Sequence, residues 1–238
     1  MEAIILAGGK GERLRPYTED RPKPMVEIMG IPILAYQLRW LKGQGVRRVI
    51  ISCGYRHEVI EHYFGSGEKI GLELVYSVED QPLGRGGALK QAFPLLRGTE
   101  GFVVATNGDI VTNLNLGDMI AYHRAKGATG TAMLTPLVSP YGIADVSEDG
   151  HVLQFREKPE LPYWLSAGVY VLQREVYDLL PDQGDHEDTT FPELARQRRF
   201  FAYCSRDFWR AVDTAKDLSE LTKEMERRLL NSFLNGDR

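Results

Sequence analysis

The run from Ala3 to Ala7, AIILA, passes directly into Gly8, Gly9, Lys10 and Gly11. An apolar run with no polar alternation reads as a strand buried on both faces. Such a strand belongs in the middle of a sheet that carries helices on both sides. A glycine-rich loop immediately after it lies at the strand's carboxyl end, where open α/β sheets bind their ligands. Glycine lets the backbone approach a phosphate closely and turn its N–H groups inward. The N-terminus looks superficially like a short signal h-region, but it lacks a basic n-region and its apolar run stops too soon.

The rest of the chain fits that frame. Leu34, Leu38 and Leu41 recur at helical spacing, and Gly43 and Gly45 end the helix. Val49–Ser52 reads as a second strand. Val59, Ile60, Tyr63 and Phe64 form a helical stripe closed by Gly65 and Gly67, and Leu72–Tyr76 follows as a third strand. Ala88–Leu96 is expected to be helical, and Phe102–Ala105 to be a fourth strand running into Thr106-Asn107-Gly108-Asp109. This alternation predicts an α/β fold with a mostly parallel, doubly wound sheet. Further strands are expected at Gly130–Pro136, Ile143–Val146, Val152–Glu157, Gly168–Leu172 and Phe200–Tyr203, with turns such as Asp149-Gly150 between them. From Thr214 on, Leu218, Leu221, Met225, Leu229 and Phe233 keep helical spacing. They predict a docked C-terminal helix, with a homo-oligomer interface as the alternative. Without repeats or linkers, residues 1–238 read as one domain, and the tail Asn235–Arg238 is expected to fray.

Composition narrows the function. The 238 residues are 43% hydrophobic, enough for a full core, and the formal charge of −4 argues against a general nucleic-acid binder. No apolar run approaches a membrane span. Two cysteines, Cys53 and Cys204, give no disulfide framework, so the cytoplasm is the default compartment.

Against that negative balance, the first loop is locally basic. Arg13 offers a fork of donors to a phosphate and Lys23 a point charge, with Lys10, Arg15 and Arg21 nearby. Two familiar phosphate loops are excluded. A dinucleotide fingerprint starting at Gly9 would need glycine where Leu14 stands, and no P-loop pattern is present. A second glycine-rich loop, Glu79-Asp80-Gln81-Pro82-Leu83-Gly84-Arg85-Gly86-Gly87, precedes a helix and could lie against a flat base. Asp109, at a strand's carboxyl end, could hold Mg²⁺, which prefers one or two carboxylates plus phosphate oxygens. Thr214 and Asp217 make a capping pair, which leaves Asp213 free for another role. Asp185-His186-Glu187-Asp188 reads as a solvated acidic loop. His57 and His62 do not match zinc spacing.

Gly-Gly-x-Gly-x-Arg, followed ten residues after Arg13 by Pro22-Lys23-Pro24, resembles the signature of the sugar-phosphate nucleotidyltransferases. That family includes the mannose-1-phosphate and heptose-phosphate guanylyltransferases and the glucose-1-phosphate thymidylyl- and cytidylyltransferases. The resemblance runs roughly from Met1 to Leu221. It implies a Rossmann-like α/β/α doubly wound mixed sheet of the nucleotide-diphospho-sugar transferase type, with a sugar-binding insertion at roughly 112–200. It also implies that Leu6, Ala7, Gly8, Gly9, Gly11, Arg13, Lys23, Gln81, Pro82, Gly84, Gly86, Asn107 and Gly108 bind the nucleotide. Asp109, Gly142, Glu157, Lys158, Ser166 and Gly168 would bind the sugar phosphate, with Glu157-Lys158-Pro159 matching the family's E-K-P. Asp109 and Asp213 would hold Mg²⁺, and Arg13, Lys23 and Asp109 would carry catalysis.

Three positions depart from the pattern. Arg85 replaces a usual threonine, Ser166 stands where Asn is common, and Ala211 occupies the metal aspartate's place in W-x-D-x-G-T. Phe208–Thr214 is also similar to the cytidylyltransferases' F-W-x-x-x-D-T, which puts the ligand at Asp213. The implied reaction joins a nucleoside triphosphate to a sugar 1-phosphate and releases pyrophosphate. GTP with mannose or heptose 1-phosphate is the first expectation, and cytidylyl, uridylyl or thymidylyl transfer the alternative. A non-catalytic regulatory subunit that binds a nucleotide sugar is the rival class. A related glycosyltransferase would need D-x-D where the chain has Asn107-Gly108-Asp109.

Overall fold

The computed structural model describes residues 1–98 and 100–235. Glu2–Leu6 (β1), Arg48–Cys53 (β2), Glu73–Val78 (β3) and Phe102–Asn107 (β4) are the first four strands of its main sheet. Gly130–Val138 (β5), Glu160–Gln173 (β6) and Phe200–Cys204 (β7) complete it. The seven strands run in the order β7-β5-β6-β4-β1-β2-β3. All lie parallel except β6, which is antiparallel to both neighbours. The helices are Ile33–Gly43 (α1), His57–Phe64 (α2), Gly84–Ala92 (α3), Leu116–Ala125 (α4), Thr190–Arg196 (α5) and Ala215–Asn235 (α6).

The expected burial of the first strand on both faces is what its packing shows. Ala3 and Ile5 pack with Leu34, Leu38, Val49 and Ile60, which brings α1 and α2 onto one face. Ile4 packs with Ile50, Leu89, Val103 and Leu194, which brings α3 and α5 onto the other. Each fully buried Ile or Leu of this kind contributes about 1.5–3 kcal/mol of transfer free energy. A third cluster of Leu14, Val26, Ile28 and Val111 receives Leu218 and Leu221 of α6. The side chains of Leu229 and Phe233, and residues 236–238, lie outside the described residues.

Several elements escape the sequence pattern. Helix α4 buries only Leu116, Met119, Ile120 and His123, and Gly117 interrupts its first turn. His123 is buried but satisfied, bonded to Thr131 Oγ1 at 2.8 Å and Gln173 Nε2 at 3.0 Å. Strand β6 begins at Glu160 instead of Gly168, because two register irregularities break its alternation. Helix α3 starts at Gly84, before the expected Ala88, and a 3₁₀ turn at Phe93–Leu95 follows it, where Pro94 ends α-helical bonding. Among the described residues no helix is long and apolar enough to cross a membrane.

Candidate active site

The sheet order reverses between β1 and β4: β2 and β3 lie on one side of β1, and β4 on the other. Crevices form at such switch points, outside the carboxyl ends of the strands. A cleft of about 860 Å³ opens there. The loop after β1 and the loop after β4 meet at Gly108, whose N–H donates to Leu6 O at 2.8 Å. A Cβ at Gly108 would lie only 2.8 Å from that same oxygen, so the close approach requires glycine. Gly11 takes a left-handed φ of 65°, and Thr18 Oγ1 donates to its carbonyl at 2.8 Å. These contacts hold the glycine loop in a turn open toward the cleft.

Charged groups converge at the cleft's floor. Lys23 Nζ donates to Asp213 Oδ1 at 2.6 Å and also to Asp109 Oδ2. Arg13 Nη2 donates to the same Asp213 oxygen at 2.9 Å. Burial pushes the Asp213 carboxyl up. The hydrogen bond and charge of Lys23, with the charge of Arg13, outweigh it and hold Asp213 below the ordinary carboxylate range.

A short ribbon brings the two aspartates together. Trp209–Ala211 pairs antiparallel with Ile110–Thr112, with Ala211 opposite Ile110, and Val212 N–H donates to Asp109 O at 3.0 Å. Asp213 therefore leaves the ribbon beside Asp109, while Ala211 only lines the wall. Thr214 and Asp217 cap α6 as expected, with Asp217 Oδ2 accepting from Thr214 N at 2.8 Å and Asp217 N donating to Thr214 Oγ1 at 3.2 Å.

Most of the predicted site residues line this one cleft. They are Leu6, Ala7, Gly8, Gly9, Gly11, Arg13, Lys23, Pro82, Gly84, Asn107, Gly108, Asp109, Ser166, Gly168 and Asp213. Five lie outside its lining. Gln81 is exposed beside it. Gly86 is buried in packing: its N–H donates to Gly184 O at 2.8 Å, and a Cβ there would stand 2.7 Å from Pro181 Cγ. Helix packing by itself requires glycine there. Gly142, Glu157 and Lys158 sit on and beside an exposed hairpin, Ile143–Val146 with Val152–Arg156.

Other residues line the cleft as well. Glu79 directly follows β3 and its carboxylate faces Gly8, and burial raises that carboxyl above the usual range despite the Leu83 N–H and Ser52 hydroxyl bonded to it. Arg85 lines the cleft at the start of α3. The acidic run 185–188 is no solvated loop. His186 is fully buried, and Asp185 and Glu187 both bind Arg85. A basic residue at the family's threonine position was the one signal in the sequence for this cluster.

The floor also suits a divalent cation. Two carboxylates already converge on one cationic atom, Lys23 Nζ. Magnesium takes one or two carboxylates and leaves the rest of its shell to water and phosphate oxygens. Among the described residues no group of three or more His, Cys, Asp or Glu gathers for a metal, so softer all-protein sites are not built here.

Comparison with known proteins identifies the family of the chain. The family model described as nucleotidyl transferase matches residues 2–228. The chain is similar to a mannose-1-phosphate guanylyltransferase of Mycobacterium tuberculosis, at 33% identity over all of this chain and 68% of that protein. The chain spans about 60% of the length of some other mannose-1-phosphate relatives. It is also similar to the D-glycero-alpha-D-manno-heptose 1-phosphate guanylyltransferase of Aneurinibacillus thermoaerophilus, at 35% identity over 95% of this chain and 99% of that one. The structure of HddC from Yersinia pseudotuberculosis superposes with a TM-score of 0.73 at 26% identity, covering 94% of this chain and 99% of that one. HddC has also been solved complexed with GMP-PN.

Proposed function

The chain belongs to the nucleotidyl transferase family, and from that premise we propose that it joins GTP to a mannose- or heptose-type sugar 1-phosphate, releasing pyrophosphate. The observation that carries this reading is the convergence of Lys23 on Asp109 and Asp213, with Arg13 on the same Asp213, at the mouth of the glycine loop. The likeness to guanylyltransferases of both sugar classes supports the choice of base and sugar.

In the reaction, a phosphate oxygen of the sugar 1-phosphate attacks the nucleotide's α-phosphorus. A new P–O bond forms, the bond to the β-phosphate bridge breaks, and pyrophosphate leaves with its electron pair. The attacking oxygen is already anionic, so no protein base is needed. What the protein must supply is positioning and charge neutralisation for two polyanions. The glycine loop, Gly8 to Gly11, gives backbone N–H groups to the triphosphate. Lys23 and Arg13 offset its charge. Asn107 and Gly108 fix the distance between the two loops, and Pro82 and Gly84 form the wall for base and ribose. By family resemblance, Glu157 and Lys158 take the sugar and its phosphate, together with Ser166 and Gly168.

Asp109 and Asp213 would hold Mg²⁺, which when bound supplies Lewis-acid polarisation of the phosphoryl oxygens. The free thiols of Cys53 and Cys204 accord with a cytoplasmic setting. Pyrophosphate release from GTP, CTP, UTP and dTTP, each against several sugar 1-phosphates, tests the assignment. Release only with a non-guanine nucleotide would reject the base, and no release with any pair would reject the activity.

A further inference from the structure

A charged cluster stands where β6 meets the start of α3. Arg85 Nε donates to Asp185 Oδ2 at 2.6 Å, and its Nη2 donates to Glu187 Oε2 at 2.7 Å. Glu187 Oε1 accepts from Tyr170 at 2.7 Å and from Ser166 at 3.0 Å. Burial pushes the Glu187 carboxyl up, but the Tyr170 hydroxyl and the Arg85 charge outweigh it and keep the group ionised. The cluster is thus rigid and carries one positive and two negative charges.

Counting donors and acceptors shows what remains open. Guanidinium has five N–H donors and no acceptor, and each carboxylate oxygen has two lone pairs. Among the described residues Arg85 Nη1 makes no hydrogen bond, so two donors are unspent. Glu187 Oε1 is filled, while Oε2 accepts only from Arg85. Glu187 Oε2 therefore keeps a free lone pair beside the two Nη1 donors, and Asp185, which accepts from Arg85 and from Glu187 N, keeps others on the far side of the guanidinium. A hydroxyl group, which accepts and donates at once, matches that pair. A second carboxylate on the ligand does not, because the cluster is already net negative.

Topology decides which part of the ligand the pair meets. The 79–84 loop, the base side of the proposed reading, follows β3, on one side of β1 in the sheet. Ser166 and Tyr170 belong to β6, on the other side. The Arg85 headgroup reaches across to the β6 side; Arg85 and Ser166 line the cleft, and Glu187, bonded to both, stands immediately behind that lining. Ser166 spends its one proton on Glu187 and can offer a ligand only its oxygen as an acceptor, alongside the carboxylate.

We propose that Arg85 and Glu187 are specificity-determining residues that together read one ring hydroxyl of a neutral, fully hydroxylated sugar 1-phosphate, with Asp185 as a positioning residue. This rests on the nucleotidyl-transfer reading above. The test is steady-state kinetics of wild type, Arg85→Ala, Arg85→Lys and Glu187→Gln. The panel is the best sugar 1-phosphate and its analogues lacking one hydroxyl each, with thermal unfolding to confirm that each variant folds.

In wild type, removal of one particular hydroxyl should lower kcat/KM about ten- to a hundredfold, the worth of a hydrogen bond to a charged group. In Arg85→Ala and Glu187→Gln that penalty should vanish, and KM for the sugar 1-phosphate should rise while KM for the nucleotide holds. Arg85→Lys should recover only part of the discrimination. Folded variants that keep the full penalty, or that raise KM for the nucleotide instead, would overturn the proposal while leaving the nucleotidyl-transfer reading standing. Wild type with no turnover on any pair would sink both.

Discussion

The Lys23 ammonium lies 2.6 Å from the Asp213 carboxylate, across 190 residues of chain, and the same nitrogen also donates to Asp109. The Lys23 side chain is only 12% exposed, so the contact is shielded from bulk water. Two carboxylates this close would repel each other without a cation between them. The ammonium fills that place here, and it also lines the cleft, where phosphate charge would arrive.

Lys23→Ala is therefore expected to lower kcat by about a hundred- to a thousandfold, the usual cost of removing one preorganised charge-stabilising group. Its thermal midpoint should rise more on Mg²⁺ addition than that of wild type, because the metal relieves the uncovered carboxylate pair. Pyrophosphate release and thermal unfolding with and without Mg²⁺ check both parts. Near-normal turnover would remove Lys23 from the chemistry.

Asp213→Asn should raise the Mg²⁺ concentration for half-maximal activity by at least about tenfold, since even groups one step removed from a metal cost that much in affinity. Ala211→Asp placed on top of it should not restore the wild-type requirement, because position 211 lies opposite Ile110 in the ribbon while 213 meets Lys23. An Mg²⁺ titration of the single and double variants distinguishes these positions. An unchanged requirement in Asp213→Asn would exclude that residue as a ligand.

The parallel half of the sheet and the first loop are legible in the sequence because their signals are local. Ala3–Ala7 shows no polar alternation, and Gly8 to Gly11 follow without a gap. The ribbon that carries Asp213 to Asp109 is not legible in that way. Trp209–Ala211 and Ile110–Thr112 are too short to show periodicity, and the register between them is a long-range property. Strand β6 hides its first half behind irregular pairing, and the Asp185–Glu187 run looked solvated because its partner, Arg85, is 100 residues away. Gly86 was legible as a required glycine, but not the reason for it.

That reason gives a stability prediction. Gly86→Ala would put a Cβ 2.7 Å from Pro181 Cγ and 2.8 Å from His186 N, inside a packed contact between α3 and the 181–186 segment. Overpacking of this kind costs about 1–3 kcal/mol, and a chain of this size loses about 2–4 °C of thermal midpoint per kcal/mol. Gly8→Ala differs, because its Cβ would meet the end of the Glu79 side chain, which can turn away. It should leave the midpoint nearly unchanged and raise KM for the nucleotide. Equal thermal losses in the two variants would contradict the distinction.

Glu79 gives a pH prediction. Its folded-state carboxyl is raised above the ordinary glutamate value of 4.5, chiefly by burial. A raised carboxyl favours the folded state when protonated, so its stabilisation is full below 4.5 and is lost as pH rises through the folded value. Glu79→Gln, which mimics the protonated form, should raise the thermal midpoint at neutral pH and lose that advantage in acid. Unfolding curves of the two proteins from pH 4 to pH 8 test this, and a difference independent of pH would refute it.

Nucleotidyl transfer at the Lys23–Asp109–Asp213 floor is open to a direct test. Phosphorus NMR of the chain with GTP, Mg²⁺ and either mannose 1-phosphate or a manno-heptose 1-phosphate tests it most directly. Matched growth of a sugar-linked diphosphate and free pyrophosphate is expected, abolished by Asp109→Ala. Loss of GTP at the same rate without any sugar phosphate, or full product formation by Asp109→Ala, would contradict it.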